Sequence, residues 1–493
     1  MMYTSTRDSS KHVSAARAIA SGLAPDGGLF VPEQIPGVDR AALEQLCGMD
    51  YQGRAVAIME RFLEDFSREE LTRFVSAAYG DNFDDRAIAP VRFLGEDTGV
   101  LELYHGPTCA FKDMALQMLP HLLTASLQKC GEERKVCILV ATSGDTGKAA
   151  LEGFADVDRT KILVFYPRDG VSDVQKLQMT SQRGENVGVC AVAGNFDDAQ
   201  TGVKQIFGNE TLAAALSERG WFLSSANSIN WGRLLPQVVY YFCAYCDCVN
   251  AGKIQLGDPL HFVVPTGNFG DILAGWYAGQ MGLPVGKLIC ASNANNVLTD
   301  FIRTGTYDRN RTFHTTTSPS MDILVSSNLE RLLYCLSGDA SLVAGYMQQL
   351  KEQGNYTVTP EIRKAVAEQF WAGCCDDAGT ARTIREVYEQ DGYLMDTHTA
   401  VAWDVLRQYR SETGDLAPAV VLSTASPFKF SDSVLAALGE PSDAPGTVLL
   451  ERLAEKTGVP APAPLAALDR RTVRFTECVE KEEMLRQVDA FLK

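Results

Sequence analysis

Apolar positions fall into two regimes along this chain. Before residue 91 they keep mainly the three-to-four-residue spacing of amphipathic helices. Asp39 can cap a helix that Gly48 ends, and Ser67 with Glu70 forms a capping box ahead of a helix over 71–79 that Gly80 closes. The stretch 13–33, V-S-A-A-R-A-I-A-S-G-L-A-P-D-G-G-L-F-V-P-E, reads as a helix and a turn. From 91 onward, short apolar runs alternate with helical segments, the pattern of a parallel sheet covered on both faces. The predicted strands are 136–141, 161–166, 187–192, 261–265, 287–291 and 419–423. Residues 101–104 also alternate like a strand; 105–108 break that pattern, and a helix begins at Asp113. A helical run covers 234–249, Pro441, Pro445, Pro460, Pro462 and Pro464 mark a linker-like region, and an amphipathic helix is expected over 481–493. This organisation predicts a mostly helical domain at 1–90 and two α/β domains with doubly wound parallel sheets, at 91–235 and 236–493.

Composition narrows the classes of function. A chain of 493 residues with 46% apolar content suits a globular protein of about three domains. Its formal charge of -17 argues against non-specific binding to nucleic acid or anionic membrane, both of which need a basic face. No run approaches the ~20 apolar residues of a membrane span, and the first residues, M-M-Y-T-S-T-R, lack a signal peptide's apolar core, so a cytoplasmic protein is expected. The 13 cysteines fit reduced thiols better than a disulfide framework. Cys243, Cys246 and Cys248 have a spacing that can bind metal, but they lie in a helical run with no second ligand pair, so packing is expected and no metal.

Ligands of parallel sheets sit beyond the carboxyl ends of the strands, and the loops there carry chemistry. After 136–141 comes T-S-G-D-T-G and then Lys148, where glycines, hydroxyls and a helix N-terminus favour an anion. A nucleotide P-loop would need glycine where Thr142 stands and Ser or Thr where Ala149 stands. After 261–265 comes T-G-N-F-G-D, again a glycine loop feeding a helix, and after 419–423 comes T-A-S-P-F-K-F. Lys112 lies where a loop enters a helix, beside Phe111; partial desolvation there lowers a lysine's proton affinity and frees the amine for Schiff-base chemistry. The alternative is a solvated surface lysine.

H-G-P-T-C-A-F-K-D at 105–113 resembles the signature of threonine synthases, in which the lysine holds pyridoxal 5'-phosphate. The resemblance extends to the 13–33 stretch, T-S-G-D-T-G at 142–147, S-I-N-W-G-R-L-L at 228–235, G-N-F-G at 267–270 and D-T-H-T-A at 396–400. It implies the fold type II architecture of pyridoxal-phosphate enzymes. It further implies Lys112 as the catalytic residue with Phe111 beside it, and the cofactor phosphate on Gly267, Asn268, Phe269 and Gly270. Asp271 follows at the helix start, where a carboxylate would repel phosphate unless turned away, and Thr424 faces the pyridine nitrogen. Thr142, Ser143, Asp145 and Thr146 are implied to meet the amino-acid end of the substrate, with Asn230, Arg233 and Lys429 as further substrate contacts. Arg233 is either a phosphate clamp or half of a structural salt bridge, and His398 either a helix-start residue or a direct participant. Ser426 stands where the family usually has histidine, which leaves open what meets the substrate phosphate there.

The implied reaction is O-phospho-L-homoserine plus water giving L-threonine and phosphate, by a monomer or homodimer whose sheet domains close on the substrate. A phospholyase releasing 2-oxobutanoate and ammonia, or a threonine or serine dehydratase, could share every motif. A non-catalytic cofactor-binding regulatory protein would lose the productive lysine, and a nucleotide-binding switch is a more distant alternative.

Overall fold

The amphipathic segments before residue 91 form the helices Arg40–Cys47, Tyr51–Met59 and Arg68–Ala78. Asp39 accepts from Ala42 N, and both halves of the Ser67–Glu70 capping box are made. The structure is a computed structural model describing residues 1–493 apart from Ser143, Asp169, Gly170 and the side chain of Asp197. The stretch expected to be only helix and turn also contributes strands. Val13–Ser14 and Phe30–Pro32 flank Met2–Ser5 in a three-stranded antiparallel sheet, with helix Ala15–Ser21 between them in sequence. Strands of two to four residues are too short to display alternation.

Two parallel sheets follow. One has five strands in the order Cys478–Val479, Val187–Val192, Thr160–Pro167, Lys135–Ala141, Trp221–Ser224, all parallel. The other has six, in the order Phe370–Cys374, Val285–Ser292, Leu260–Pro265, Ala419–Ser423, Thr98–Glu102, Val91–Phe93, with only the last pair antiparallel. Val187–Val192, Leu260–Pro265 and Ala419–Ser423 are buried along their whole length, as strands covered on both faces must be. Against the second sheet's helix Gly270–Met281 packs the 20-residue helix Trp231–Asn250, apolar nearly all round and buried accordingly. It carries Cys243, Cys246 and Cys248 inward, where burial lifts the thiols of Cys243 and Cys248 to about 12. Among the described residues, no group of three or more His, Cys, Asp or Glu side chains is arranged to hold a metal, and no helix is long and apolar enough to cross a membrane.

Sheet membership cuts across the expected boundary at 235/236. Thr98–Glu102 pairs with Ala419–Ser423, and Cys478–Val479 returns to pair with Val187–Val192. Non-local pairing decides this, and local periodicity does not report it. Lys112 therefore hangs from the same sheet as the 266–271 loop. The region expected to be linker-like contains helix Gly446–Thr457, with Leu449, Leu450 and Leu453 buried, and helix Ala463–Ala466; Pro445 and Pro462 stand at their N-caps. The terminal helix is Met484–Phe491, whose buried Met484 packs on Gly202 of helix Phe196–Phe207.

Candidate active site

Lys112 owes its position to a turn locked from both sides. The Asp113 carboxylate accepts from Thr108 N at 2.8 Å and Thr108 Oγ1 at 2.7 Å, closing the loop on itself. Burial raises Asp113 to about 6 in spite of those donors. Across the loop, Phe111 N donates to Thr424 O at 2.8 Å and Ser426 N to Cys109 O at 3.0 Å, so the segment is zipped to 424–426 at the end of the neighbouring strand. The Lys112 side chain is 10% exposed. Its Nζ donates to Ser320 Oγ at 3.3 Å, stands 3.6 Å from Asp145 Oδ2 and lies 4.8 Å from the Phe111 ring centroid. Burial moves Lys112 below the ordinary lysine range; Asp145 partly offsets this, and the charges of Arg233 and Lys429 push it further down.

Asp145 opens helix Asp145–Phe154, whose N-cap Gly144 makes no side-chain cap. Gly144 is required there: its φ is +136°, and a Cβ would lie 2.5 Å from Gln175 Cδ. Asp145 Oδ1 accepts from Lys429 Nζ at 2.7 Å and Gln175 Nε2 at 2.8 Å, while Oδ2 accepts from Ser320 Oγ at 3.4 Å. Burial alone would raise this carboxyl, but the two lysines outweigh it and hold it well below the usual carboxylate range.

The glycine loop faces the same point. Phe269 adopts φ +62°, a left-handed conformation that only a constrained non-glycine keeps, and helix Gly270–Met281 begins behind it without a side-chain cap. The Gly267 carbonyl accepts from Ser326 Oγ at 2.7 Å, and the Asn268 carbonyl from both the N–H and the side-chain amide of Asn328 at 3.1 Å. A Cβ on Gly267 would meet the Ser320 carbonyl oxygen at 2.7 Å. Ser320 thus touches Lys112 through its hydroxyl and crowds Gly267 through its carbonyl, so one residue links the amine to the glycine loop. His398 Nε2 accepts from Ser320 N at 3.1 Å, while its Nδ1 lies 2.8 Å from Asp396 Oδ1. His398 therefore supports Ser320 rather than facing the amine itself.

Other predicted residues divide. Thr142 Oγ1 accepts from Gly144 N at 3.0 Å and Gly147 N at 2.9 Å, shaping its loop; Thr146 is half-buried next to Asp145, and Ser143 lies outside the described residues. Arg233 is buried, donates to Ala226 O at 2.7 Å and has no carboxylate partner among the described residues, which removes the salt-bridge alternative. Burial lowers it to about 10. Asn230 is a correction: its amide donates to Ile19 O at 3.0 Å and caps Gly232 N at 2.8 Å, committing both ends to backbone. Lys429 is another, since its fully buried ammonium spends itself on Asp145 and on Thr108 O at 2.9 Å. Asp271 turns to Tyr240 and Tyr241, whose hydroxyls lie 2.6 and 2.8 Å from Oδ1, and burial raises it to about 6.

Sequence reasoning missed Ser320, Gln175, Tyr240 and Tyr241. One signal was present for the first: 309–328 is a polar stretch with no apolar period, long for a structureless connection, and such loops tend to be functional. It is held by Asp322, whose Oδ1 accepts from Asn293 at 2.8 Å and Asn295 at 3.1 Å and whose Oδ2 accepts from Thr316 N at 2.9 Å.

The start of the lysine loop carries its own ionic anchor. His105 lies 2.6 Å from Asp84 Oδ1 and 3.0 Å from Glu102 Oε2; burial opposes its charge, but the two carboxylates outweigh this and raise it to about 9. Because the folded value exceeds the unfolded one, this stabilisation is complete below pH ~6.5 and disappears as pH rises through about 9. His105→Gln should accordingly lower Tm at pH ~6 much more than at pH ~9.5; thermal melts of both proteins across that range check it, and an equal drop at both ends would contradict it.

Comparison with known proteins agrees with this geometry. The family described as threonine synthase N terminus matches residues 2–79, pyridoxal-phosphate dependent enzyme matches 91–425, and threonine synthase, C-terminal, matches 399–489. The chain is 43% identical over 447 residues to threonine synthase-like 1 of Macaca fascicularis, covering 88% of this chain but 59% of that protein. It therefore spans under two thirds of that relative's length. To the threonine synthase of Pseudomonas aeruginosa it is 41% identical over 439 residues, covering 88% of this chain and 90% of that one. The crystal structure of PLP-bound threonine synthase from Brucella melitensis superposes with a TM-score of 0.88 at 40% identity, covering 100% of this chain and 98% of that chain. A lysine and a glycine loop joined through Ser320 on one sheet, in a chain matched along nearly its whole length, mean that this protein belongs to the threonine synthase family of pyridoxal-phosphate-dependent enzymes.

Proposed function

We propose that the protein converts O-phospho-L-homoserine and water to L-threonine and phosphate, with Lys112 as the reacting amine. The observation that carries this reading is Ser320, which contacts Lys112 Nζ and abuts Gly267 at once, so one small coenzyme can reach from the amine to the glycine loop. The residues present fit pyridoxal 5'-phosphate. A Cβ on Gly267 would intrude on the loop, helix Gly270–Met281 offers uncapped N–H groups to an anion, and the carboxylate of Asp271 is turned onto two tyrosines. Lys112 would hold the aldehyde end, Gly267, Asn268, Phe269 and Gly270 the phosphate, and Thr424 the ring nitrogen, with Phe111 beside the amine. A hydroxyl at that nitrogen, unlike a carboxylate, does not force it to carry a proton. When bound, the cofactor supplies an electron sink for charge developing on substrate carbons.

The chain's own groups do the rest. Lys112 Nζ, with its proton affinity lowered by burial, accepts the substrate's Cα proton. Asp145 and Ser320 orient that nitrogen. The 142–147 loop, with Thr142, Asp145 and Thr146, receives the amino-acid end of the substrate, and Arg233 takes its phosphate, a charge that suits a guanidinium with no carboxylate partner among the described residues. Ser426, where the family usually carries histidine, binds its own turn through Phe428 N at 3.4 Å, so the phosphate contact falls to Arg233. We place the protein in the cytoplasm as a monomer or homodimer without nucleic-acid partners; its charge of -17 supports the last of these.

Incubation with O-phospho-L-homoserine should release phosphate and threonine in equal amounts. Formation of 2-oxobutanoate and ammonia instead would make the protein a phospholyase, and absence of phosphate release would end the proposal. Gly267→Ala should push Ser320 aside and weaken pyridoxal phosphate retention, by up to ~2 kcal/mol or about 30-fold in Kd. Equilibrium dialysis measures it, and an unchanged Kd would contradict the assignment of the loop.

A further inference from the structure

We propose that Lys429 is a positioning residue that keeps Lys112 in its amine form by occupying one oxygen of the Asp145 carboxylate. The inference rests on Lys112 being the reacting amine and concerns what prepares it.

Asp145 is a single buried carboxylate facing two lysines, and it can balance one positive charge. Lys429 Nζ is the nearer, at 2.7 Å from Oδ1 against 3.6 Å from Oδ2 for Lys112, and it is anchored by a second acceptor, Thr108 O, at 2.9 Å. It is fully buried, so no water shares its charge. Lys112 is left with the weaker share of Asp145 and a neutral hydroxyl, Ser320. Among the described residues, Asp145 is the one carboxylate within ion-pair distance of Lys112. From helix Trp231–Asn250, Arg233 adds repulsion. From helix Gly270–Met281, Asp271 spends its Oδ1 on two tyrosine hydroxyls. From helix Thr397–Thr413, His398 is turned to Ser320 N and Asp396.

Removing Lys429 while keeping its volume, as in Lys429→Met, hands the whole of Asp145 to Lys112 and favours the ammonium. No charge is stranded, because Asp145 keeps Lys112 and Gln175. Asp145→Asn has the opposite effect, since it removes the anion that favours a Lys112 ammonium.

The test is competitive labelling of the full chain, stripped of cofactor, with acetic anhydride across the alkaline range. The modified Lys112 peptide is quantified at each pH to give the midpoint at which the amine becomes reactive. Lys429→Met should raise that midpoint by about one unit or more, Lys429→Arg should leave it near wild type, and Asp145→Asn should lower it. In the holoenzyme, the acid limb of kcat against pH should move with the labelling midpoint. A folded Lys429→Met protein with an unmoved midpoint would overturn the proposal, as would a raised midpoint in Asp145→Asn, which carries the test by itself if Lys429→Met does not fold. Failure of the underlying reading is seen separately, as a borohydride-fixed cofactor on a lysine other than Lys112.

Discussion

A Lys112→Ala protein is expected to form no threonine from O-phospho-L-homoserine, to show no borohydride-reducible bond to pyridoxal phosphate, and to stay folded. The loss should exceed the roughly 10²- to 10⁴-fold that a general base alone supplies, because the same atom is also the anchor. Stability should change little, within about 1 kcal/mol, since Asp145 keeps Lys429 and Gln175 as partners when Lys112 leaves. The pairing of lost turnover with an unchanged Tm separates a chemical role from a structural one. Primary amines added from solution should restore a small part of the turnover, because the cavity left by the side chain opens on the site. Normal threonine formation by this variant would end the assignment.

The second large effect has two opposite signs in one protein. Arg233 is a buried guanidinium that donates to the Ala226 carbonyl and meets no carboxylate among the described residues, an arrangement that costs stability unless an anion completes it. Arg233→Met should reduce kcat/KM for O-phospho-L-homoserine by about 2–5 kcal/mol, roughly 30- to several-thousand-fold. The ligand-free protein should nonetheless melt at a higher temperature, because an uncompensated buried charge has been replaced by a thioether. Inorganic phosphate should raise the Tm of the wild type and do less for the variant. Steady-state kinetics and thermal shift with and without phosphate read all three; an unchanged kcat/KM would remove Arg233 from the substrate site.

What the sequence disclosed and what it withheld have the same cause. Lys112 and the 267–270 loop were legible because each is a local event, a strand, a turn and a helix start within about ten residues. The strands Val187–Val192 and Ala419–Ser423 coincide with their apolar runs, and the caps at Asp39 and Ser67 form as their residue types demand. Ser320 was not legible. Its contact with Lys112 spans 208 residues, and its segment has no periodicity. The roles of Lys429 and Asn230 were misjudged for a related reason: a polar side chain near a motif can face substrate or its own scaffold, and only the fold decides. Asn230 reaches Ile19 across 211 residues, and Lys429 reaches Thr108 across 321. The strands Trp221–Ser224 and Phe370–Cys374 escaped notice because, as sheet-edge strands of four and five residues, they are too short to display a period. The boundary at 235/236 failed because Thr98–Glu102 finds its partner at Ala419–Ser423, beyond the reach of local pattern.

The account depends on one amine facing one glycine loop, and the most direct measurement fixes that amine chemically. The protein loaded with pyridoxal phosphate is reduced with borohydride, digested, and its pyridoxyl-bearing peptide sequenced by mass spectrometry. The label is expected on Lys112, within H-G-P-T-C-A-F-K-D, and nowhere else; a label on Lys148, Lys429 or any other lysine, or none at all, would contradict the account.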